Sequence, residues 1–446
     1  MNKNHHLVPS RIVILSFIAM IFIGAFLLML PISSRNGTWT PFIDSLFTST
    51  SASCVTGLIV YDTYTHWSMF GQFIIILLIQ IGGLGVVTMA IFLAMVTGKK
   101  IGFRSRNLMK QSIDAPQSAG ILRAVLFILK GTLVIESVAA ILLSFRFIPE
   151  FGFLKGIWMS IFHSISGFCN AGFDLMGQKA PFSSLTSYQG DGLVLGVIGC
   201  LIIIGGLGFF VWDDLMKHKL KFKKYRLQTK IVLVTTACLI LIPALFFFFY
   251  EFSQPEWKDM TFTERLFSSL FESITTRTAG FNSINYDQLH SASLPLYMAL
   301  MLIGGSSGST AGGFKTTTLA VLVVTLISIF SKKEGVHVFN RKLPNTVIHH
   351  TIAVLSLYLS LFLMGGILLC MFDGLSMSDS FFEVASALGT VGLTLGITPS
   401  LSTASHLVLI ILMFLGRVGS LTMLFALSAD KIQVASTVPQ ESISIG

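Results

Sequence analysis

Eight long apolar segments dominate this chain of 446 residues and restrict what it can fold into. A helix that crosses the hydrocarbon core of a bilayer needs about 20 consecutive, mostly apolar residues. Inside lipid, only helices and closed barrels satisfy all of their backbone hydrogen bonds. The sequence therefore predicts an all-α integral membrane protein with eight transmembrane helices, in the segments 11–31, 70–96, 121–146, 192–216, 229–252, 294–330, 346–372 and 406–429.

Charge is scarce and unevenly distributed. Only 11% of the residues are charged, against about 25% in soluble domains. The net charge of +9 comes from basic blocks between apolar segments, which is the positive-inside pattern and argues against a nucleic-acid partner. We therefore expect a multi-pass protein of the cell membrane, embedded in the lipid bilayer, with both termini in the cytoplasm. The basic blocks on the same side are Lys99–Lys110, Lys217–Lys230 and Lys332–Lys342.

A turn recurs in the connections that leave the first, third, fifth and seventh segments. The four turns read SASCVTGL, ISGFCNAGF, ITTRTAGF and ALGTVGL, and the glycines on which they align are 115, 108 and 112 residues apart. A second glycine cluster begins 24 to 33 residues after each of them, as IGGLG twice, GGSSGSTAGG and GRVG. Regular spacing of this kind indicates an internal repeat. The sequence predicts four helix–pore-loop–helix repeats around a central pore.

The repeat boundaries follow from this alignment. Each pore loop is expected to contain a short helix and then the glycine turn. The predicted units are repeat 1 at 11–98 with its pore loop near 42–60, repeat 2 at 120–218 with its loop near 157–175, repeat 3 at 228–332 with its loop near 262–283, repeat 4 at 345–430 with its loop near 378–396, and a cytoplasmic tail at 431–446.

The turns have the composition of an ion-selectivity filter. Backbone carbonyl oxygens can replace the hydration shell of a potassium ion, and a backbone that aims them inward needs glycine where φ is unusual. The fourth turn, Thr-Val-Gly-Leu, is close to the TVGYG filter of potassium channels, and the second turn matches least well. The predicted filter residues, with potassium at their backbone carbonyls, are Val55, Thr56, Gly57, Leu58, Asn170, Ala171, Gly172, Phe173, Thr278, Ala279, Gly280, Phe281, Thr390, Val391, Gly392 and Leu393.

The sixth apolar segment is predicted to be a broken helix. It has five glycines in the twelve residues 304–315, and each glycine in a helix interior costs roughly 1 kcal/mol relative to alanine. Irregular backbone at membrane depth occurs only where it is buried in protein or lines a water-filled cavity, so we expect this stretch below the filter. A phosphate-binding loop is disfavoured because Phe314 separates the last glycine from Lys315 and no strand precedes the motif.

Several charged residues lie close to these features. Arg417 interrupts the last apolar segment at the level of the broken helix, where it either repels cations or holds loop carbonyls in place. Asp62 and Asp174 follow filter turns and are expected at the outer mouth. Glu272 and Arg277 are expected to form an ion pair that braces the third turn.

These motifs resemble the potassium-translocating membrane subunit of the Ktr/Trk/HKT superfamily, and most closely the bacterial Ktr type. The resemblance covers essentially the whole chain, and GRVG at Gly416 to Gly419 matches a family motif. It implies potassium selectivity, because all four loops carry glycine. It further implies a homodimer, with one pore in each protomer, on a cytosolic ring of nucleotide-binding regulatory subunits. The gate that it implies comprises Gly304, Gly305, Ser306, Gly308, Gly312, Gly313, Lys315 and Arg417.

The predicted function is potassium uptake through a gated, channel-like pore. No nucleophile–base pair and no room for a nucleotide site appear in the sequence, so we expect a transporter and not an enzyme. Potassium is the expected substrate and no cofactor is expected, while sodium stays open as a coupling or activating ion. The alternative is the membrane subunit of another cation transporter, either secondary active or the partner of an ATP-driven pump.

Overall fold

The computed structural model describes residues 9–86, 88–89, 121–219, 221–332 and 335–419. The predicted tail at 431–446, the first basic block and the ends of the second and eighth apolar segments lie outside these residues. In chain order the helices are α1 Pro9–Met29, α2 Phe42–Cys54, α3 Thr63–His66, α4 Met69–Leu84, α5 Ile121–Phe151, α6 Phe153–Cys169, α7 Gly192–Leu207, α8 Phe209–His218, α9 Leu227–Phe249, α10 Phe262–Thr275, α11 Leu294–Leu302, α12 Thr316–Phe330, α13 Asn345–Asp373, α14 Met377–Gly389 and α15 Thr403–Val418.

Short 3-10 turns and one hairpin complete the described structure. The strands β1 His337–Val338 and β2 Arg341–Lys342 pair antiparallel, with His337 opposite Lys342. The 3-10 turns are Pro31–Ser33, Met176–Gln178, Thr186–Tyr188, Phe222–Lys224, Glu251–Ser253, Pro255–Trp257, Tyr286–Gln288 and Thr398–Ser400.

Four described helices are long and apolar enough to cross a membrane, and a bent pair raises the number to five if it counts as one span. The four are α1, α5, α9 and α13, which overlap the first, third, fifth and seventh predicted segments. Large apolar side chains such as Leu133 and Phe145 on α5 are 67% and 69% exposed. A surface of this kind suits lipid, because lipid requires no polar cover.

Four short helices, α2, α6, α10 and α14, each lead into one of the glycine turns. At three of them the next residue has a left-handed backbone, with φ of +59° at Val55, +61° at Asn170 and +52° at Thr390. In these three turns the following N–H donates to the carbonyl five residues earlier at 2.8 Å, which ends the helix as in a Schellman motif. β-Branched residues rarely adopt this backbone, so Val55 and Thr390 are strained by about 1–3 kcal/mol each.

The helices that follow the glycine turns are broken at glycines in more places than the sequence predicted. A break was predicted only at 304–315, yet α4 and α15 end at Gly85 and Gly419, and α7 and α8 meet at Gly208 with a 96° bend. The physical reason is that these three glycines have φ between +85° and +94°, which is incompatible with a continuous right-handed helix. The predicted segment 192–216 is therefore two helices and not one continuous helix.

The short helices and the broken helices pack into a closed circle. Each short helix contacts the broken helix that precedes it along the chain: α6 contacts α4, α10 contacts α7 and α14 contacts α11. The circle closes because α2 contacts α15, the last of the broken helices. Glycines also let a broken helix approach the short helix of its own repeat, since a Cβ on Gly82, Gly205 or Gly416 would collide with a backbone carbonyl of α2, α6 or α14, respectively.

Candidate ion pathway

The four turn glycines lie side by side in a ring. A Cβ built on Gly57 would lie 3.2 Å from Cα of Gly172, and a Cβ on Gly172 would lie 3.0 Å from Cα of Gly280. The same construction puts a Cβ of Gly280 3.1 Å from Cα of Gly392, and a Cβ of Gly392 2.8 Å from Cα of Gly57. The structure therefore brings the four glycines together, in chain order around the ring.

Backbone geometry leaves no room for side chains in this ring. The four glycines have φ between +70° and +99°, a range that other residues seldom adopt. A Cβ on Gly57 would lie 2.5 Å from the carbonyl oxygen of Ala171, and a Cβ on Gly172 would lie 2.6 Å from that of Ala279. Carbonyl oxygens thus crowd the ring, and they are the groups that can replace the hydration shell of potassium.

The side chains next to the glycines pack away from the ring. All of them are buried in the apolar clusters or among the short helices, which leaves the backbone as the surface that the four turns share. The bulky residues after the glycines are at most 1% exposed, and they are Leu58, Phe173, Phe281 and Leu393. The buried residues before the glycines are Thr56, Ala171, Ala279 and Val391.

Hydroxyl groups of the short helices form hydrogen bonds with the backbone of the turns. Ser51 and Ser386 each accept a hydrogen bond at 3.0 Å from the N–H of the glycine six residues later. Ser166 donates to the carbonyl of Phe173 at 2.6 Å, and Thr275 donates to that of Phe281 at 2.8 Å. These residues were not predicted from the sequence, although a serine six residues before three of the glycines was a visible signal.

The second turn differs in chemistry from the others because of Asn170. Asparagine tolerates a left-handed backbone better than valine or threonine does. Its side-chain amide is hydrogen-bonded to the hydroxyl of Thr278 in the third turn at 2.9 Å. With the amide oxygen as the acceptor, the amide nitrogen can donate to the carbonyl of Gly167 at 3.2 Å. The residue that matched a filter least well therefore joins two neighbouring turns.

Buried carboxylates brace the third and fourth turns, but not as predicted. Glu272 accepts from the N–H and hydroxyl of Ser283 at 3.1 and 2.9 Å, and from the hydroxyl of Tyr286 at 2.6 Å. The predicted ion pair with Arg277 is wrong, because hydroxyl and amide donors already occupy this carboxylate. Glu383, in α14, accepts from Thr394 at 2.7 Å in the same manner.

The glycine-rich stretch 304–315 is an irregular segment between α11 and α12, tied to its surroundings by backbone hydrogen bonds. Ser306 and Thr310 donate to the carbonyls at the end of α7 at 3.0 and 3.2 Å. Gly313 donates to the carbonyl of Gly416 at 3.2 Å. A Cβ on Gly312 would collide with the hydroxyl of Thr390, so the segment lies directly against the fourth turn.

Arg417 joins this segment to the end of α4. Its guanidinium donates to the carbonyls of Thr310 and Gly82, and to that of Gly83 at 3.0 Å. Of the two interpretations that the sequence left open, carbonyl binding is thus observed, and a barrier to cations stays a prediction. The two interpretations do not exclude each other, because a guanidinium that binds carbonyls keeps its positive charge.

A cavity of about 400 Å³ borders the glycine-rich segment. Gly83, Ser307, Lys315, Tyr358 and Arg417 are among the residues that line it. Lys315 donates to the carbonyl of Ala311 at 2.9 Å, so this amine stabilises the segment from within. Apolar and basic side chains both line this cavity.

Asp62 and Asp174 lie close to each other beyond the first and second turns. Asp62 accepts from three backbone N–H groups, including that of Phe182 at 3.0 Å. Asp174 accepts from the N–H of Met176 at 2.8 Å. Burial and, to a smaller extent, the neighbouring Asp62 raise the pKa of Asp174 to about 7. This carboxyl therefore changes charge near neutral pH.

Glu136, within the apolar helix α5, was also not predicted from the sequence. Its side chain accepts from the amide of Gln80 at 3.3 Å, and its backbone carbonyl accepts from Ser164 at 2.6 Å. The Gln80 amide oxygen is 3.8 Å from the thiol of Cys169, the residue before the second turn. A carboxyl inside an apolar span was the signal that could have found it.

Comparisons with known proteins show what this chain is similar to. The profile of a family described as TrkH, cation transport protein, matches residues 8–434. The potassium/sodium uptake protein NtpJ of Enterococcus hirae is 42% identical over 444 residues, which cover 98% of this chain and 97% of that protein. The Ktr system potassium uptake protein B of Bacillus subtilis is 40% identical over 420 residues, which cover 94% and 92%.

A solved structure adds evidence on the fold. The crystal structure of the potassium transporter TrkH from Vibrio parahaemolyticus superposes with a TM-score of 0.73, over 96% of this chain and 87% of that one. At 20% sequence identity this similarity shows a shared fold. The family resemblance predicted from the turns is confirmed by the profile and by the two relatives. This membrane protein belongs to the TrkH family of cation transport proteins.

Proposed function

We propose that this chain takes up potassium across the cell membrane through a channel-like pore, with the ring of Gly57, Gly172, Gly280 and Gly392 as its selectivity filter. The observation that carries the proposal is the ring itself, in which glycines at positive φ are crowded by the carbonyl oxygens of neighbouring turns. A dehydrated potassium ion is stabilised by such oxygens. The names of the two relatives above, both uptake proteins for potassium, support potassium as the substrate.

The pore is formed by eight transmembrane segments in four repeats. Their proposed limits are 11–98, 120–218, 228–332 and 345–430. In favour of this division, each short helix contacts the broken helix of the preceding repeat, and α2 contacts that of the last repeat. Four consecutive repeats arranged in a circle enclose one axis, and the ring of glycines surrounds that axis.

The gate is the segment 304–315 together with Arg417. In the closed arrangement the segment lies against Thr390, at the inner end of the fourth turn, and Arg417 holds the carbonyl of Thr310. Opening requires those hydrogen bonds to break and the segment to move aside. Glycine-rich backbone suits such a movement because it adopts several conformations at low cost. The Thr390 hydroxyl, buried without a hydrogen-bond partner in the described structure, then faces the ion path.

Regulation comes from outside the chain. A homodimer on a cytosolic ring of nucleotide-binding subunits is the proposed assembly, and the name Ktr system potassium uptake protein B suggests a system with further components. Both termini face the cytoplasm, in line with the basic segments between spans. A role for sodium as a coupling or activating ion stays open, because one relative is described as a potassium/sodium uptake protein.

Uptake in cells tests the proposal. The chain is expressed, with its regulatory subunit, in bacteria that lack their own potassium uptake systems, and net potassium uptake is followed at low external potassium. We expect uptake that is lost when Gly280 is replaced by aspartate, because a side chain there collides with the carbonyl of Val391. Equal uptake by cells with this variant and by cells with the unmodified chain would refute the filter assignment.

A further inference from the structure

Two cytoplasmic loops that are distant in sequence meet through an exposed pair of aromatic rings. Phe222 lies between α8 and α9, and Phe339 lies at the tip of the β1–β2 hairpin. Their ring centroids are 6.0 Å apart, and the rings are 42% and 46% exposed. Nζ of Lys230 lies over both rings, 5.7 Å from the centroid of Phe222 and 6.0 Å from that of Phe339. Two large apolar side chains and a cation thus form one exposed surface.

The hairpin presents Phe339 at a conformational cost. Phe339 and Asn340 occupy its two-residue loop with φ of +48° and +61°. A loop with positive φ at both positions favours Asn-Gly, and a bulky residue at the first position is an outlier. Strain of this kind persists where the surrounding structure fixes it, and it often marks a functional residue. Val336 and Leu343 provide that support, because both are buried beneath the hairpin against α12.

Positive charge surrounds the aromatic pair. The segment 217–230 contains seven lysine and arginine residues and no aspartate or glutamate. Arg341 and Lys342 on β2 are exposed beside it. The nearby acids of α8 are already engaged, since Asp213 pairs with Lys217 at 2.7 Å and Asp214 is buried. The surface therefore carries a net positive charge with no described acidic side chain left to neutralise it.

The position of this surface relative to the spans favours lipid as its partner. Lys230 is in the first turn of α9, one of the helices long enough to cross a membrane, so its amine lies at headgroup depth. The adjoining end of α12 exposes Leu326, Ile329 and Phe330, the last of them 85% exposed. Such a surface is covered by acyl chains, and the headgroups of the same lipids then reach the basic residues.

We propose that Phe222, Lys223, Lys230, Phe339, Arg341 and Lys342 form a binding site for the phosphate headgroups of anionic lipids in the inner leaflet. The aromatic rings lie in the interface between headgroups and acyl chains, and the basic side chains contact the phosphates. One lipid would then contact two loops that belong to different parts of the chain. The proposal concerns a surface apart from the ion pathway and does not depend on the transported ion.

Lipid retention tests this site. The purified full-length protein is extracted from vesicles of phosphatidylcholine alone or of phosphatidylcholine with phosphatidylglycerol, and bound lipid is counted by native mass spectrometry. Each lysine or arginine at a membrane surface contributes about a fivefold change in affinity for anionic lipid. We therefore expect the triple variant Lys230→Gln, Arg341→Gln and Lys342→Gln to retain at least about tenfold less phosphatidylglycerol, with little change in phosphatidylcholine.

Matched variants make the result specific. Lys258→Gln removes one exposed charge beyond the opposite end of α9 and should retain phosphatidylglycerol like the unmodified protein. Phe222→Ala with Phe339→Ala keeps every charge and should also reduce retention. If the triple variant does not fold, Arg341→Gln alone is measured, with an expected fivefold reduction. The proposal would be overturned if the folded variants retained as much phosphatidylglycerol as the unmodified protein, or if the unmodified protein retained both lipids equally. It would also be overturned if the variants lost only a bound acidic cytosolic protein.

Discussion

Replacing Gly57 by serine tests how far ion selectivity depends on the closeness of the four turns. The new Cβ would lie 2.5 Å from the carbonyl oxygen of Ala171, whereas ordinary contacts begin near 3.4 Å, so the two turns must separate by about 0.9 Å. A φ of +99° adds backbone strain of about 1–3 kcal/mol. The carbonyl oxygens that we propose to replace potassium's hydration shell would be displaced by this amount, while the smaller sodium ion would gain a hydroxyl ligand.

We expect the permeability of sodium relative to potassium to rise at least about tenfold, which corresponds to about 1.4 kcal/mol. The assay is competitive uptake of radioactive potassium and sodium into proteoliposomes. The control is Gly374→Ser, at the end of α13, where φ is also positive, at +62°, but no atom lies within 4 Å of the new Cβ. Unchanged selectivity in a folded Gly57→Ser protein, at normal flux, would refute the reasoning.

Four further predictions concern the gate, the outer mouth and the apolar helix α5. Arg417 puts a fixed positive charge beside the proposed gate, so Arg417→Gln should raise flux at least about tenfold in proteoliposomes, which corresponds to about 1.4 kcal/mol, and unchanged flux would leave only its bond to Thr310. Deleting residues 307–309 should also raise flux in the same assay. Unchanged flux in the folded deletion variant would mean that the segment is not a gate. The pKa of Asp174 is raised to about 7 in the folded state, so the protonated carboxyl stabilises the fold at low pH and this effect is lost as pH rises through 7. The melting temperature should therefore fall more between pH 4 and pH 8 in the unmodified protein than in Asp174→Asn. Glu136→Leu should reduce flux and selectivity, whereas Glu136→Gln should keep both, since glutamine retains a hydrogen-bond acceptor. Equal behaviour of the two variants would exclude a positioning role for Glu136.

The fold was predictable from the sequence wherever a physical requirement produces a period or a strong composition bias. Long apolar segments identified α1, α5, α9 and α13, because a bilayer demands length and hydrophobicity. The recurrent glycine was equally visible, since only glycine fits at the crowded ring position. By contrast, the helix ends at Gly85, Gly208 and Gly419 were missed. A glycine that permits close helix packing and one that bends a helix look alike in sequence.

The hydrogen-bond partners of the side chains around the turns were harder to predict. Glu272 was assigned to an ion pair with Arg277 because opposite charges lay near each other in the sequence. In the fold, Ser283, Tyr286 and Tyr297 come back from later in the chain to donate to that carboxylate. Such partners depend on how distant segments meet, and periodicity does not report them. The role of Asn170 in joining two turns was hidden for the same reason.

The most direct test of the central claim is isotope flux into proteoliposomes that contain this chain alone. Potassium and sodium uptake are compared at the same membrane potential, with and without an opposing sodium gradient. The proposed filter predicts potassium uptake that follows the potassium gradient and exceeds sodium uptake at least about tenfold. Equal uptake of the two ions would contradict a potassium-selective ring, and potassium uptake that stops without a sodium gradient would contradict a channel-like pore.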